Sequence, residues 1–212
     1  MHRVGLFIDR CQYGVFALQY NFASLLTGAC TMTTIDELHQ DHVNLETLLN
    51  LLEQHIRKVS AGDAPNFLLA SEIAEYIESY VKQHHHPRED RLYAFFRGRT
   101  ADLDEVMNQC EQEHFALERK GRSLVEIIEG AMHDAVVPMS ELVSRIETFL
   151  RDERAHLDLE EGKVFPSICA VATEDDWERL KQLLPPEKDP LFAALETDRY
   201  AALHQELQPT SQ

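Results

Sequence analysis

Histidine can bind a transition metal while uncharged, and this chain spaces its histidines in a way that suits that use. His84, His85 and His86 stand in a row, followed by Pro87 and Glu89, while His42, His114 and His156 lie far apart and Glu160 follows His156 by four residues. A carboxylate four residues after an imidazole shares its face of a helix, so Glu89 can act beside His85 and Glu160 beside His156. Imidazole with carboxylate suits iron or manganese, and bridging carboxylates join two ions. The lack of a thiolate set argues against a structural zinc site.

The elements that must position these groups are legible in the apolar pattern. Leu38, Leu45, Leu49, Leu52 and Ile56 form a stripe at alternating steps of four and three, the inward face of a bundle helix, and His42 falls in it. Ile73, Ile77, Val81, Leu92 and Phe96 make a second stripe that takes in His85 and Glu89, with His84 and His86 flanking it. Leu103, Met107, Cys110, Leu117, Gly121, Leu124 and Ile128 make a third around His114, and Leu142, Ile146, Phe149 and Val164 a fourth around Glu153, His156 and Glu160. Polar groups unpaired on such faces would cost several kcal/mol, so something must satisfy them.

Helices are expected at about 33–60, 66–97, 101–130 and 138–172. In an up-down-up-down bundle, with a rise of about 1.5 Å per residue, the four histidines then sit roughly 14 to 24 Å from one end, and a shift of about two to four residues in the helix boundaries brings them within about a turn of one another. The expected fold is therefore all-α, an up-down-up-down four-helix bundle over residues 32–172 with a short C-terminal helical appendage over 173–212. Thr173 to Leu184 reads as a short helix, with Thr173 as N-cap, Trp177 as anchor and Pro185-Pro186 as its stop; the tail beyond reads as a surface helix or loose chain. Residues 1–31 read as an N-terminal extension without a folded role, the alternative being a helix on the bundle exterior. Pro87 removes a helical hydrogen bond and is expected to kink the second helix.

The 212 residues, 44% of them hydrophobic, suffice for one sizeable core. A net charge of −17 excludes a surface built to grip phosphate backbones, so no nucleic-acid partner is expected. No apolar run reaches the length of a membrane span, so none is expected to cross one. Four cysteines without knuckle spacing read as thiols in a reducing cytoplasm.

Four stretches in order, Leu38-His39-Gln40-Asp41-His42, His85-His86-Pro87-Arg88-Glu89-Asp90, Glu113-His114, and His156 to Glu160-Glu161 with Phe165-Pro166, resemble the hemerythrin-like HHE cation-binding proteins over about residues 33–180. The resemblance implies a four-helix bundle around a non-haem di-iron centre, with His42, His85, Glu89, His114, His156 and Glu160 as ligands by motif position. Oxygen-carrying members have a histidine one turn after the helix-three ligand, where this chain has Glu118, and a carboxylate five residues past the helix-four histidine, where it has Glu161. His86 is the candidate for the missing imidazole. These departures point away from simple reversible O2 carriage.

The expectation for the centre is two iron ions that bind or react with O2, NO or peroxide, a small diatomic or peroxide being the partner, in a monomer or homodimer. The alternatives are iron storage or sensing, a ferritin-like di-iron carboxylate oxidase using Glu111-x-x-His114 and Glu153-x-x-His156, and a metal-free helical interaction module. Asp41, Glu113 and Glu153 are the expected hydrogen-bond partners that fix imidazole tautomers. His39 is expected to flank the site. His84 is expected to face solvent, His55, His133 and His204 to lie on the surface or in loops, Asp90 and Glu161 to be solvated charges, and Met107 and Cys110 to pack the core.

Overall fold

In the computed structural model, which describes residues 34–133, 136–193 and 199–208, the long helices start and stop where the sequence places its caps and breakers. Helix α1 spans Thr34–Ser60 and ends before Gly62, whose φ of 107° only glycine adopts without strain. Helix α2 spans Phe67–Tyr80 and opens with the Asn66 side chain accepting from the Leu69 N–H. It runs through a π turn at Val81–His85 into α3, His86–Phe96. Helix α4, Ala101–Met132, is capped by Thr100, and α5, Met139–Leu159, runs through a second π turn at Glu160–Val164 into α6, Phe165–Val171. The expectation for residues 1–31 lies outside the described residues.

Four long rods therefore pack in sequence order around one core: α1 against α2 and α5, and α4 against α2 and α5. This is the expected all-α bundle. Every apolar residue of the four expected stripes is buried, Leu38, Leu52, Ile73, Leu92, Met107, Ile128 and Val164 completely. Burying each such side chain is worth about 1.5–3 kcal/mol, and that sum offsets the conformational entropy of ordering the rods.

Both π turns precede a proline, Pro87 and Pro166, in the first turn of the helix that follows. Proline has no N–H to give and its ring crowds the carbonyl four residues back. A turn one residue wider relieves both, with the His86 N–H reaching back to the Val81 carbonyl and the Phe165 N–H to that of Glu160. The expected kink at Pro87 is thus a π turn. The equivalent turn before Pro166 was not foreseen.

Beyond the bundle, α7 (Glu174–Leu183) begins with a Thr173 and Asp176 capping box and lays Leu180 and Trp177 on the cluster formed by Ile35, Phe96, Leu103 and Ile168. Pro138 precedes α5 as its N-cap. The tail is anchored, and the loose-chain option does not hold for its described part. Helix α8, Ala201–Leu207, buries Leu203 against α2, and the Leu203 N–H donates to Glu72 at 2.7 Å. The Asp189 carboxylate accepts from Tyr76, Asn44 and the Leu191 and Phe192 amides. No described helix is long and apolar enough to cross a membrane.

Candidate metal centre

Midway along the rods the apolar stripes are interrupted at one level by His42, His85, His86, Glu89, His114, His156 and Glu160, each at most 3% exposed. The structure brings all seven together. Helix α1 supplies His42, the first π turn and α3 supply His85, His86 and Glu89, α4 supplies His114, and α5 with the second π turn supplies His156 and Glu160. In a regular helix neighbouring residues point about 100° apart; at the junction of the widened turn with α3, both His85 and His86 are buried. His86 therefore lies inside rather than on the flank of the stripe, its ring stacked on that of His114 at 3.8 Å between centroids.

The distances define two groups of donors. His42 Nε2 and His85 Nε2 approach to 3.1 Å, and Glu89 Oε1 lies 3.3 Å from each. Glu89 turns its other oxygen, Oε2, toward His114 Nε2 at 3.5 Å. Glu160 does the reverse, with Oε2 3.4 Å from His42 Nε2 and Oε1 3.4 Å from His114 Nε2 and 3.3 Å from His156 Nε2. Potential donor atoms of His42, His85, Glu89 and Glu160 all lie within 4.8 Å of one another, and so do those of His86, Glu89, His114 and His156.

Around this core a ring of carboxylates holds the far nitrogens. His42 Nδ1 donates to Glu161 at 2.7 Å, His114 Nδ1 to Asp90 at 3.0 Å and His156 Nδ1 to Glu113 at 3.0 Å. Asp41 stands 3.5 Å from His85 Nδ1 and accepts from the Tyr80 hydroxyl. A proton fixed on Nδ1 leaves the Nε2 lone pair facing inward, the state in which imidazole binds metal. His42 Nε2 and His85 Nε2 lie within hydrogen-bond distance of each other, and His85 Nδ1 has no hydrogen-bond partner, so either a proton or a cation can sit between the two inward nitrogens. Glu89 Oε2, Glu160 Oε2, His156 Nε2 and His86 Nδ1 have no hydrogen-bond partner although fully buried. Orphaned groups of this kind are costly, and a metal would satisfy them.

The electrostatics match. Burial works against the charged forms throughout, yet the carboxylates of Asp90, Glu160 and Glu89 facing its ring push His114 up to about 12. Burial also opposes ionisation of Glu161, but His39 and His42 hold it at about 2. His86 goes the other way, kept neutral by burial and by its neighbouring imidazoles. Without an ion, the centre balances its buried carboxylates with imidazolium protons; a metal would displace those protons.

Two surface assignments are corrected. Glu161 is not a solvated charge: its side chain is only 14% exposed and bonded to both His39 and His42. Asp90, though half exposed, is tied to His114. Both bond across helices, to residues that share no periodicity with them, and stripe analysis carries no signal of that. Of the expected partners, Glu113 takes the role; Asp41 faces His85 Nδ1 at 3.5 Å without a hydrogen bond between them, and Glu153 is buried beside the centre and pushed by that burial up to about 7. Tyr93 was missed; its hydroxyl donates to Glu160 Oε1 at 2.5 Å. A buried tyrosine one turn past Glu89 was the available clue. His39 flanks the centre, His84 is half exposed against Tyr80, and His133 is exposed. Glu111 pairs with Arg97 on the surface at 2.6 Å, so the Glu111-x-x-His114 spacing brings no carboxylate inward.

Against known proteins, no curated sequence and no solved structure matches the chain. The model of the hemerythrin HHE cation-binding domain matches residues 33–168, the span that contains every residue of the centre and the four rods up to Ile168. Fold, centre and match agree, and the chain belongs to the hemerythrin HHE cation-binding family.

Proposed function

We propose that the chain holds two iron ions, with His42, His85, His86, Glu89, His114, His156 and Glu160 as ligands, and reacts there with O2, NO or peroxide. The observation that carries this reading is the orientation of the two acids. Glu89 and Glu160 each turn one oxygen to the His42 side and the other to the His114 side, as carboxylates bridging two ions must. Two histidines, His42 and His85, then serve one ion, and His86, His114 and His156 the other. The balance of imidazole and carboxylate suits iron.

Five imidazole nitrogens and four carboxylate oxygens from these residues fall short of the roughly twelve positions of two octahedral ions. Room is left for a small ligand. Bound iron would supply reversible one-electron redox chemistry and affinity for diatomics and peroxide. The chain's own residues do the rest. Leu38, Leu92, Val164 and Phe165 exclude bulk water, with Phe165 stacked on His42 at 5.3 Å. Glu161, Asp90 and Glu113 hold the Nδ1 protons, and Tyr93 places a hydroxyl proton on Glu160 Oε1 at the rim of the centre. An enclosure of this kind favours a small neutral ligand over a large organic substrate.

The test is elemental analysis of iron-grown protein, with spectra of the oxidised protein with and without azide. About two irons per chain and a new azide charge-transfer band are expected. The reduced protein should consume at least one of O2, NO and peroxide faster than a His114→Ala control. Less than half an equivalent of any transition metal after iron reconstitution would overturn the reading.

A further inference from the structure

Cys110 lies on α4 one turn before His114, fully buried, where the apolar end of the bundle meets the centre. A buried cysteine alone is a small hydrophobe, and packing against Met107 and Val164 would be served by other small apolar residues. Its sulfur has other neighbours as well. A donor atom of His156, one of Glu160 and the Cys110 sulfur lie within 4.8 Å of one another. His156 Nε2 is among the buried atoms without a hydrogen-bond partner, and so is one oxygen of Glu160, Oε2, which leaves both residues with a donor atom for a ligand. The thiol also bonds to Tyr93, whose hydroxyl donates to Glu160, which ties the sulfur to the rim of the centre. Burial and the charges of Glu160, Glu89 and Glu113 keep the thiol protonated while no cation is near. The same negative charge attracts a cation.

We propose that Cys110, His156 and Glu160 form a site for a thiophilic divalent cation of the zinc class. One sulfur, one nitrogen and one oxygen donor with a fourth position left to water is the pattern of an open tetrahedral site. As the sulfur–metal bond forms, the thiol proton is released to solvent and no electron changes hands. His156 and Glu160 also belong to the set proposed for iron, so a zinc-class ion here excludes iron from that half of the centre. The site thereby responds to the relative supply of the two metals. This inference stands on Cys110 and its neighbours and does not require the iron reading.

The experiment is spectroscopy of the full chain prepared with cobalt(II) in place of iron. A near-ultraviolet thiolate-to-cobalt charge-transfer band is expected in the unaltered protein and in Cys169→Ser, and is expected to be lost in Cys110→Ser. Removing even an outer partner of a ligand weakens metal binding roughly 10–100-fold, so Cys110→Ser should weaken zinc at least about tenfold. X-ray absorption of zinc bound to the unaltered protein needs no variant to fold; one sulfur at about 2.3 Å is expected. A zinc environment of nitrogen and oxygen alone, or a cobalt band that survives in Cys110→Ser, overturns the proposal. A two-iron protein with no thiolate band overturns this site and leaves the iron reading standing, whereas a Cys110-dependent band in a chain that holds no iron does the opposite.

Discussion

A histidine aimed inward is only half of a metal ligand; the other half is whatever holds its second nitrogen. Here Glu161, Asp90 and Glu113 do that for His42, His114 and His156. Glu161→Ala and Glu113→Ala should each weaken iron binding by roughly 10–100-fold, read by competition with a chelator, while helicity stays unchanged. Removing an inward group is more severe. His114→Ala and His156→Ala should lower metal content and melting temperature together, because the remaining buried donors lose the ion that satisfies them. The exposed His133 is the control: His133→Ala should match the unaltered protein in both measurements. Equal losses in control and site variants would refute the placement of the centre.

At the scale of elements, α4 passes α2 and α5 closely at Gly121. A Cβ added there would meet Glu78 Cγ at 3.5 Å and Phe149 Cε2 at 3.6 Å, ordinary contact distances. Gly121→Ala should therefore stabilise the protein by about 0.4–1 kcal/mol, through the smaller entropy of its unfolded chain. A loss of stability in denaturant unfolding would show that α2 and α4 lie closer than described. Helix α7 offers a pH test. Asp176 caps it through Thr173 and pairs with Arg99 at 2.6 Å, and those contacts hold its carboxyl at about 2. The folded value lies below that of an unfolded aspartate, about 3.9. Its contribution is thus complete above that value and is lost as pH falls through about 2. Trp177, the only tryptophan of the chain, sits on this helix. Its fluorescence should shift in that acid window, and in Asp176→Asn the shift should already be present at neutral pH.

Across the whole molecule, the C-terminal segment is pinned at Asp189, which gathers donors from α1, α2 and its own loop. Asp189→Ala leaves the Tyr76 hydroxyl and the Asn44 amide without their partner and should cost about 1–3 kcal/mol in thermal unfolding. Iron content should not change, because Asp189 does not reach the centre's donors. A chain shortened to residues 32–212 should retain the helicity and metal content of the full chain. Insoluble or metal-free product would make the first 31 residues part of the fold.

The sequence by itself determined the rods and the level of the centre. Stripe spacing at Leu38 to Ile56 or Leu103 to Ile128 follows from the helical repeat alone, and a histidine within a stripe must be buried with it. That is why His42, His85, His114 and His156 were legible, and why Glu89 and Glu160 came with them. Only the tertiary structure decided what lies between helices. Whether Glu161 faces water or His42 depends on how α1 and the second π turn approach each other, and one residue of turn width changes the answer. Pro87 announced a disturbance but not its form, and Pro166 announced an equal one that was not read. The pairing of Glu89 and Glu160 oxygens with opposite histidine groups is likewise a relation among four rods, and no single helix's periodicity contains it.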